Sequence, residues 1–350
     1  MIIEIPYPQP KAKTLPAIKP FPWPKILTPS LSDLFFLVMA SWIFMSSPVG
    51  WHRVLLDADT WLHTRIGQII ISTGAVPHQD PFAFSKVAQP WYAFEWLSEV
   101  VLATVYQFAG LKGLSLLAAT LILLYLTTLL KYTLWKGANG VFALLVILLT
   151  ATGTSIHYHA RPHLFTLLFL CVTLWILDHN RRKMSDESKP FGRNLVWLLI
   201  PLTVLWANLH GGFFIFFALL GLRVIGCAAE AYFYADLRTS RRNEAIQLTL
   251  LGIACTVASL LNPYGYHLHE HILETLRSPW IVANVSEFQS PKFRSEEMYN
   301  ILVLLFAGLA IISSLLRKRN LTDPLAILFL AYCSLTSVRH TTIFLSLIHI

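Results

Sequence analysis

One stretch of the chain concentrates side chains that can do chemistry. Between two strongly apolar regions, residues 56–99 collect acidic, basic and histidine side chains, namely Asp57, Asp59, His63, Arg65, His78, Asp80, Glu95 and Glu99. Carboxylates close to a bilayer are costly unless they handle a proton, an ion or a polar substrate. This stretch is therefore the candidate site, and the rest of the sequence has to position it.

Asp57 and Asp59 lie just after the first apolar segment. A carboxylate held there can take a proton from a hydroxyl, a role that contributes about 10²- to 10⁴-fold in rate. The pair can also bind a divalent cation that neutralises a phosphate leaving group. The structural alternative is helix capping, which Asp does well. The apolar residues that follow predict a helix lying along the membrane surface, and they are Trp61, Ile66, Ile69 and Ile70.

The composition is that of an integral membrane protein. The chain has 350 residues, of which 55% are hydrophobic and 13% charged, against roughly 25% charged residues in soluble domains. Its net charge of +8 comes from Lys and Arg clusters that lie between apolar runs. This is the positive-inside pattern of membrane proteins, so the basic excess does not indicate a nucleic-acid partner.

Apolar runs of about 15 to 20 residues recur along the chain, and each is long enough to cross a roughly 30 Å hydrocarbon core. They lie at residues 31–48, 113–130, 141–156, 162–177, 195–209, 213–229, 245–261, 301–316 and 324–338. The sequence predicts an all-α, polytopic transmembrane helical bundle of about 9 to 11 spans. We expect a Pro- and Lys-containing tail at residues 1–30, one transmembrane domain at 31–350, an external loop with juxtamembrane helices at 50–112 and a second external loop at 262–298.

Basic clusters predict which connections are cytoplasmic. These clusters are Arg181, Arg182, Lys183, Lys189 and Arg193, then Arg238, Arg241 and Arg242, then Arg317, Lys318 and Arg319. The lysines of the N-terminal tail are also predicted to be inside. Cytoplasmic and external connections then alternate along the chain only if residues 91–110 lie in the interface rather than cross the membrane. The last apolar run, residues 341–350, is too short to cross, so we expect a partial or truncated chain.

The order of residues after the first span resembles the first external loop of the GT-C class of membrane glycosyltransferases. The residues that carry the resemblance are Asp57-X-Asp59-X-Trp61, Arg65-X-Gly67, Gly74-X-X-Pro77-X-X-Asp80-Pro81-Phe82, Trp91 and Glu95-Trp96-X-X-Glu99. The nearest likeness is to a bacterial branch with an Asp-X-Asp-X-Trp-Trp-His loop, and protein O-mannosyltransferases and lipid A aminoarabinose transferases are more distant. A weaker, colinear likeness continues through Arg161-Pro162-His163, Trp206-X-Asn208-X-His210-Gly211-Gly212 and Asn262-Pro263-Tyr264-Gly265.

The resemblance implies transfer of a sugar from a polyprenyl-phosphate donor to a glycan, lipid or protein acceptor at the external face of a bacterial inner membrane. Asp59 or Asp57 would be the base in a single, inverting displacement with an oxocarbenium-like transition state. Arg161 and Arg339 would hold the lipid phosphate, because guanidinium groups bind phosphate oxygens bidentately. The substrate-binding candidates are His63, Arg65, Asp80, Glu95, Glu99, Arg161, His163, Asn208, His210 and Arg339.

Each of these candidates has a structural alternative. The arginines can be snorkelling interfacial residues, the histidines can be packing residues at span ends, and residues 208–212 can form a turn between two helices. Glu95 and Glu99 can mark the wet face of an interfacial helix. Rival functions are a secondary transporter, which would hold its charges near the bilayer midplane, and a non-catalytic membrane assembly protein.

Overall fold

A computed structural model describes residues 30–45, 53–84, 87, 89–185, 194–294 and 296–347. Most of the predicted N-terminal tail, the end of the first predicted span, Lys189, Arg193 and the last three residues lie outside these ranges.

The predicted all-α class is confirmed for the described residues, which form helices and short 3₁₀ turns with one isolated β-bridge. The helices are α1 (Leu31–Met45), α2 (Ala58–Thr73), α3 (Trp96–Lys136), α4 (Gly140–Thr154), α5 (His163–Ser185), α6 (Leu199–Leu209), α7 (Phe214–Phe233), α8 (Arg238–Ser259), α9 (His267–Arg277), α10 (Pro279–Asn284), α11 (Glu296–Arg317), α12 (Thr322–Thr336) and α13 (Thr341–Leu347).

Five helical segments among the described residues are long and apolar enough to cross a membrane. They are Trp96–Lys136, Gly140–His157, His163–Met184, Gly211–Phe233 and Met298–Arg317, and shorter apolar helices occupy Asp33–Trp42, Leu195–Leu209 and Thr322–Thr336. The apolar helices fit a membrane protein, while the expected number of about 9 to 11 spans stays a prediction.

Helix α3 is interrupted at Gly110, whose φ of 60° and ψ of −150° are not helical. This backbone conformation is readily available only to glycine, because a Cβ atom would clash. The break divides the helix into residues 96–109 and 111–136, close to the division that the hydropathy pattern gives. An interfacial first part followed by a crossing second part is compatible with this break, and that assignment stays a prediction.

Helix packing relies on small residues at close approaches, as expected where lipid removes most of the hydrophobic drive between helices. A Cβ atom added to Gly226 in α7 would lie 2.6 Å from Thr322 Cα at the start of α12. One added to Gly153 in α4 would lie 2.9 Å from a Leu345 side-chain carbon in α13. The bundle core around Tyr125, Leu126 and Phe213 is fully buried.

The bundle has polar groups gathered at two ends. We call the first the site end; it comprises α2, the start of α3, residues 155–163, residues 209–213, residues 286–292 and residues 337–340. The second, the basic end, comprises the ends of α3, α5 and α7 and the starts of α8 and α12. Along α5, the buried residues between the two ends are mainly apolar, including Leu167, Leu170 and Leu174.

The positive-inside pattern predicts that the site end is external and the basic end cytoplasmic. Helix α9 belongs to the second predicted external loop, and its His271 stacks on Tyr92 just before α3. In a Cys333→Ser background, a cysteine introduced at exposed Glu274 in α9 should therefore react with an impermeant thiol reagent in intact cells. A cysteine at exposed Thr239 in α8 should react only after permeabilisation. The other three native cysteines are buried and give little background. Equal labelling of both positions in intact cells would contradict the topology.

Candidate functional site

Arg161 lies at the centre of three carboxylates from two distant parts of the chain. Its Nη2 donates a short hydrogen bond to Asp59 Oδ2, and its Nη1 lies 3.0 Å from Asp57 Oδ2. Nη1 also donates to Glu287 Oε1 at 2.9 Å. The structure therefore brings together the Asp-X-Asp pair and one of the two arginines predicted for the phosphate, and it adds Glu287, which the sequence did not single out.

Asp57 and Asp59 have different tasks in this arrangement. Asp57 is the N-cap of α2, and its Oδ1 accepts from the Asp59 backbone N–H at 3.0 Å. The capping alternative therefore applies to Asp57, whose second oxygen faces Arg161. Asp59 caps nothing in the described structure, and its side chain is 45% exposed. Of the two, Asp59 has the carboxylate that is better placed to meet a substrate.

Hydrogen bonds to backbone carbonyls join four segments of this site in two pairs. The Ala160 N–H, next to Arg161, donates to the Val54 carbonyl at 2.9 Å. The Val338 N–H donates to the Gln289 carbonyl at 3.0 Å, and Ser337 Oγ donates to the Glu287 carbonyl at 2.9 Å. The last two contacts fasten residues 287–289 to the chain just before Arg339.

A cavity of about 650 Å³ opens over these groups. Its lining includes Asp57, Asp59, Arg161 and Glu287 together with His157, His159, Gln289, Ser290 and Lys292. A volume of this size falls within the range of small-molecule sites. The carboxylates of the Asp-X-Asp pair thus face an open polar cavity that also carries cationic groups.

The charged side chains in this cavity shift one another's pKa values. Burial disfavours the charged form of Arg161, but Glu287, Asp59 and Asp57 outweigh it and raise the pKa of its guanidinium. Burial acts against the charge of Glu287 as well, yet Arg161 and Arg339 lower the pKa of that carboxyl below its usual value. Arg339 therefore acts electrostatically on this site although its guanidinium stacks over Phe288, 5.3 Å from the ring centre.

Behind the cavity lies a buried cluster of two glutamates and two histidines, which we call the His–Glu cluster: His63, Glu95, Glu99 and His210. His63 Nδ1 lies 3.1 Å from Glu99 Oε1, and its Nε2 lies 3.5 Å from Glu95 Oε2. The other Glu95 oxygen lies 3.3 Å from His210 Nε2. The interpretation of Glu95 and Glu99 as a wet helix face is wrong, since both are buried.

The tautomer of His210 follows from its backbone neighbour. The Gly212 N–H donates to His210 Nδ1 at 2.9 Å, so this nitrogen carries a lone pair and the ring proton is on Nε2. That N–H faces Glu95. Thr166 Oγ1 lies 2.8 Å from the same Nδ1, and Trp206 Nε1 donates to this hydroxyl at 2.7 Å. His210 is thereby fixed as a neutral donor toward Glu95.

Burial sets the protonation of this cluster. It raises the pKa of Glu95 to about 7, although the nearby His63 lowers it. Burial also disfavours charged His63, but the hydrogen bond to Glu99 and the charges of Glu95 and Glu99 raise the pKa of His63 above its usual value. For His210, burial lowers the pKa well below its usual value, which agrees with its neutral tautomer.

Helix α2 is positioned by close packing on α3. A Cβ atom added to Gly67 would lie 1.9 Å from the Glu99 carbonyl oxygen, so only glycine allows this approach. The prediction of an apolar α2 face on the membrane is wrong for Ile66 and Ile70, because both are buried and pack with Ala93. Trp61 stays exposed. The α2 face covers the start of α3 instead of lipid because the two helices approach so closely.

A Gly67→Ala change should therefore disturb the site without touching a charged residue. The added methyl group must push α2 away from Glu99, which should loosen the contact between His63 and Glu99 and lower the apparent melting temperature in detergent. Core overpacking of this kind typically costs about 1–3 kcal/mol. Gly221→Ala in α7 is the matched control, because nothing lies within 4 Å of its added Cβ. Equal melting temperatures for the two variants would contradict the close approach.

The remaining predicted site residues have other surroundings. Asn208 has a structural part, since its Oδ1 accepts from Trp96 Nε1 and its Nδ2 donates to the Val204 and Leu261 carbonyls. His163 packs among the histidine rings and contacts the His157 carbonyl through Nε2 at 2.6 Å. Arg65 is exposed and donates to Gln68, and Asp80 Oδ1 accepts from the Phe82 N–H. Among the described residues, neither side chain contacts Arg161 with its three carboxylates or the His–Glu cluster.

The basic end holds a second group of buried charges, whose pairing the sequence did not predict. Asp178 pairs with Arg223 and with Lys136 at 2.7 Å. Arg181 Nη2 donates to both Glu230 carboxylate oxygens at 2.8 and 2.9 Å, and Arg241 Nε lies 3.1 Å from Glu230 Oε2. Arg181 and Arg241 were predicted in loops, which is wrong, because both lie in helices and pair with buried carboxylates. Their cytoplasmic side stays a prediction. This group joins α3, α5, α7 and α8.

Among the described residues, no set of three or more His, Cys, Asp or Glu side chains has an arrangement suited to a metal ion. Between Asp57 and Asp59, Arg161 supplies the positive charge that a divalent cation would bring. The divalent cation therefore stays a prediction. The four cysteines are free thiols, and three of them are buried.

Comparison of the chain with models of protein families, with curated proteins and with solved structures finds no match.

Proposed function

We propose that this chain is a membrane glycosyltransferase that moves a sugar from a polyprenyl-phosphate donor to an acceptor hydroxyl. The observation that carries the proposal is the pairing of Asp59 with Arg161 at the wall of a cavity of about 650 Å³. A base and a phosphate-binding cation held side by side can position both reactants, which removes much of the entropy cost of their encounter.

In this proposal Asp59 takes the proton of the acceptor hydroxyl while the acceptor oxygen attacks the anomeric carbon of the sugar. Asp57 holds the start of α2 and one side of Arg161, so it fixes the orientation of Asp59. The leaving lipid phosphate needs cations, which Lys292 at the cavity wall and the nearby Arg339 can supply. Arg161 shares the binding of the phosphate with these two cations, because it also balances the charges of Asp57, Asp59 and Glu287.

The distribution of charge favours this function over secondary transport. A transporter needs polar groups along a path through the membrane, with its binding site near the midplane. Here the site end and the basic end are joined along α5 by mainly apolar buried residues. The charges of the basic end pair with one another, as expected of a group that fastens helices together.

The proposal is tested by incubating the purified protein in lipid with a panel of polyprenyl-phosphate sugars and with acceptors from bacterial envelope extracts. We expect one sugar to be transferred, with release of polyprenyl phosphate in equal amount and inversion at the anomeric carbon. Hydrolysis or transfer by protein carrying Asp59→Asn sets the background. Absence of any product above that background across the panel would count against a glycosyltransferase.

A further inference from the structure

The His–Glu cluster is more than the proposed transfer reaction requires. Glu99 is 98% buried, and among the described residues its Oε2 has no hydrogen-bond partner. A buried carboxylate oxygen without a partner keeps its full desolvation penalty, and this penalty is largest for a charged group. Its retention here points to a ligand that the cluster binds, and the chemistry of two carboxylates bridged by an imidazole is suited to a proton.

The cluster lies on the inner side of the proposed base. His63 follows Asp59 by one turn of α2 and is therefore on the same helix face. The groups that act on Glu95 come from every element packed around it, and they are His63 from α2, Glu99 from α3, His210 from the link between α6 and α7, Arg161 from the link between α4 and α5, and Arg339 from the segment before α13.

We propose that His63, Glu95 and Glu99 form a buried proton-binding site behind Asp59, and that this site takes up the proton released during sugar transfer. The uptake of the proton from sugar transfer rests on the proposed function, whereas the proton-binding site itself does not. The acceptor hydroxyl gives its proton to the Asp59 carboxylate, and its oxygen bonds to the anomeric carbon. The bond from that carbon to the phosphate oxygen breaks, and the phosphate leaves with the electron pair. The proton then passes from Asp59 through His63 to Glu95 and finally to water.

His210 supports this role because it cannot take the proton easily. Its Nδ1 already accepts from the Gly212 N–H, so the ring can only donate toward Glu95. It stabilises the ionised form of Glu95, which is the form that receives a proton. His63 has both nitrogens directed at carboxylates, so it can pick up a proton on one side and release one on the other.

The first experiment measures the proton directly by infrared spectroscopy of the full protein in lipid. As the pH falls through neutrality, we expect a carboxylic acid C=O band with a midpoint at about 7. The band should be lost in Glu95→Gln. The control is Glu270→Gln, which alters an exposed His–Glu pair of similar chemistry, His267 with Glu270 at 2.8 Å. No band that titrates near neutrality, or an unchanged band in Glu95→Gln, would overturn the proton-binding site.

A second variant keeps the test independent of the folding of Glu95→Gln. His63→Gln retains a hydrogen-bonding side chain but removes the imidazolium, whose charge favours ionised Glu95. The midpoint of the band should therefore move to higher pH. A midpoint that stays in place would show that His63 and Glu95 do not share a proton.

The second experiment concerns the path of the proton during transfer. The site can accept a proton only while Glu95 is ionised, so the wild-type transfer rate should fall below a pH of about 7. In Glu95→Gln this limb should disappear, and the rate at high pH should drop on the order of 10-fold. If the transfer rate of Glu95→Gln still falls below neutral pH as that of the wild type does, the proton path through Glu95 is overturned. If no sugar is transferred by the wild type while the band still titrates, the proposed function fails and the proton-binding site stands.

Discussion

Asp59→Asn should reduce sugar transfer by on the order of 10²-fold or more, because it removes the carboxylate that takes the acceptor proton. Asn keeps the size of the side chain and can still accept one hydrogen bond from Arg161. The N-cap of α2 is Asp57, which this change leaves in place. Insertion and melting temperature should therefore stay close to those of the wild type, and the loss should appear in the chemical step.

Two variants make the result interpretable. Asp80→Asn changes another carboxylate of the same predicted external loop, one that accepts from the Phe82 N–H in a turn. This variant should keep transfer close to the wild-type rate. Asp57→Asn should retain much of the cap, because Asn caps about as well as Asp, but it should weaken the hold on Arg161. If Asp59→Asn inserts normally and transfers sugar at the wild-type rate, Asp59 is not the base. Poor insertion of both Asp59→Asn and Asp57→Asn would assign the pair to folding instead.

Glu230→Gln should destabilise the protein by about 3–5 kcal/mol, the usual cost of removing one partner from a buried ion pair. The Glu230 side chain is fully buried and binds Arg181, Arg241, Thr322 Oγ1 and two backbone N–H groups. Without its charge, the two guanidinium groups lose much of their compensation. The change should appear as a large fall in the apparent melting temperature, measured in detergent.

The control for this variant is Asp236→Asn. Asp236 pairs with Arg319 at 2.8 Å, but both side chains are more than half exposed, and exposed pairs contribute only about 0–1 kcal/mol. We expect its melting temperature to stay close to that of the wild type. A Glu230→Gln melting temperature equal to that of Asp236→Asn would show that the charges of the basic end do not hold the bundle together.

The sequence by itself determined the features that depend on local patterns. Long apolar runs predicted an all-α membrane protein, the Asp-X-Asp pair marked the start of a helix, and the apolar runs on either side of Gly110 anticipated the break in α3. Each of these follows from residues close together in the chain. Helix periodicity, capping and glycine conformation are local properties, so no knowledge of distant contacts is needed.

Only the tertiary structure decided which distant residues meet. Arg161 is 102 residues from Asp59, and Glu287 joins it from 126 residues further along the chain. The burial of Glu95 and Glu99 and the ion pairs of the basic end were equally hidden from the sequence. The physical reason is that apolar helix faces look alike to lipid and to other helices. Hydropathy therefore identifies the helices but not their neighbours, which are selected by close contacts such as that of Gly67 with Glu99 and by the pairing of buried charges.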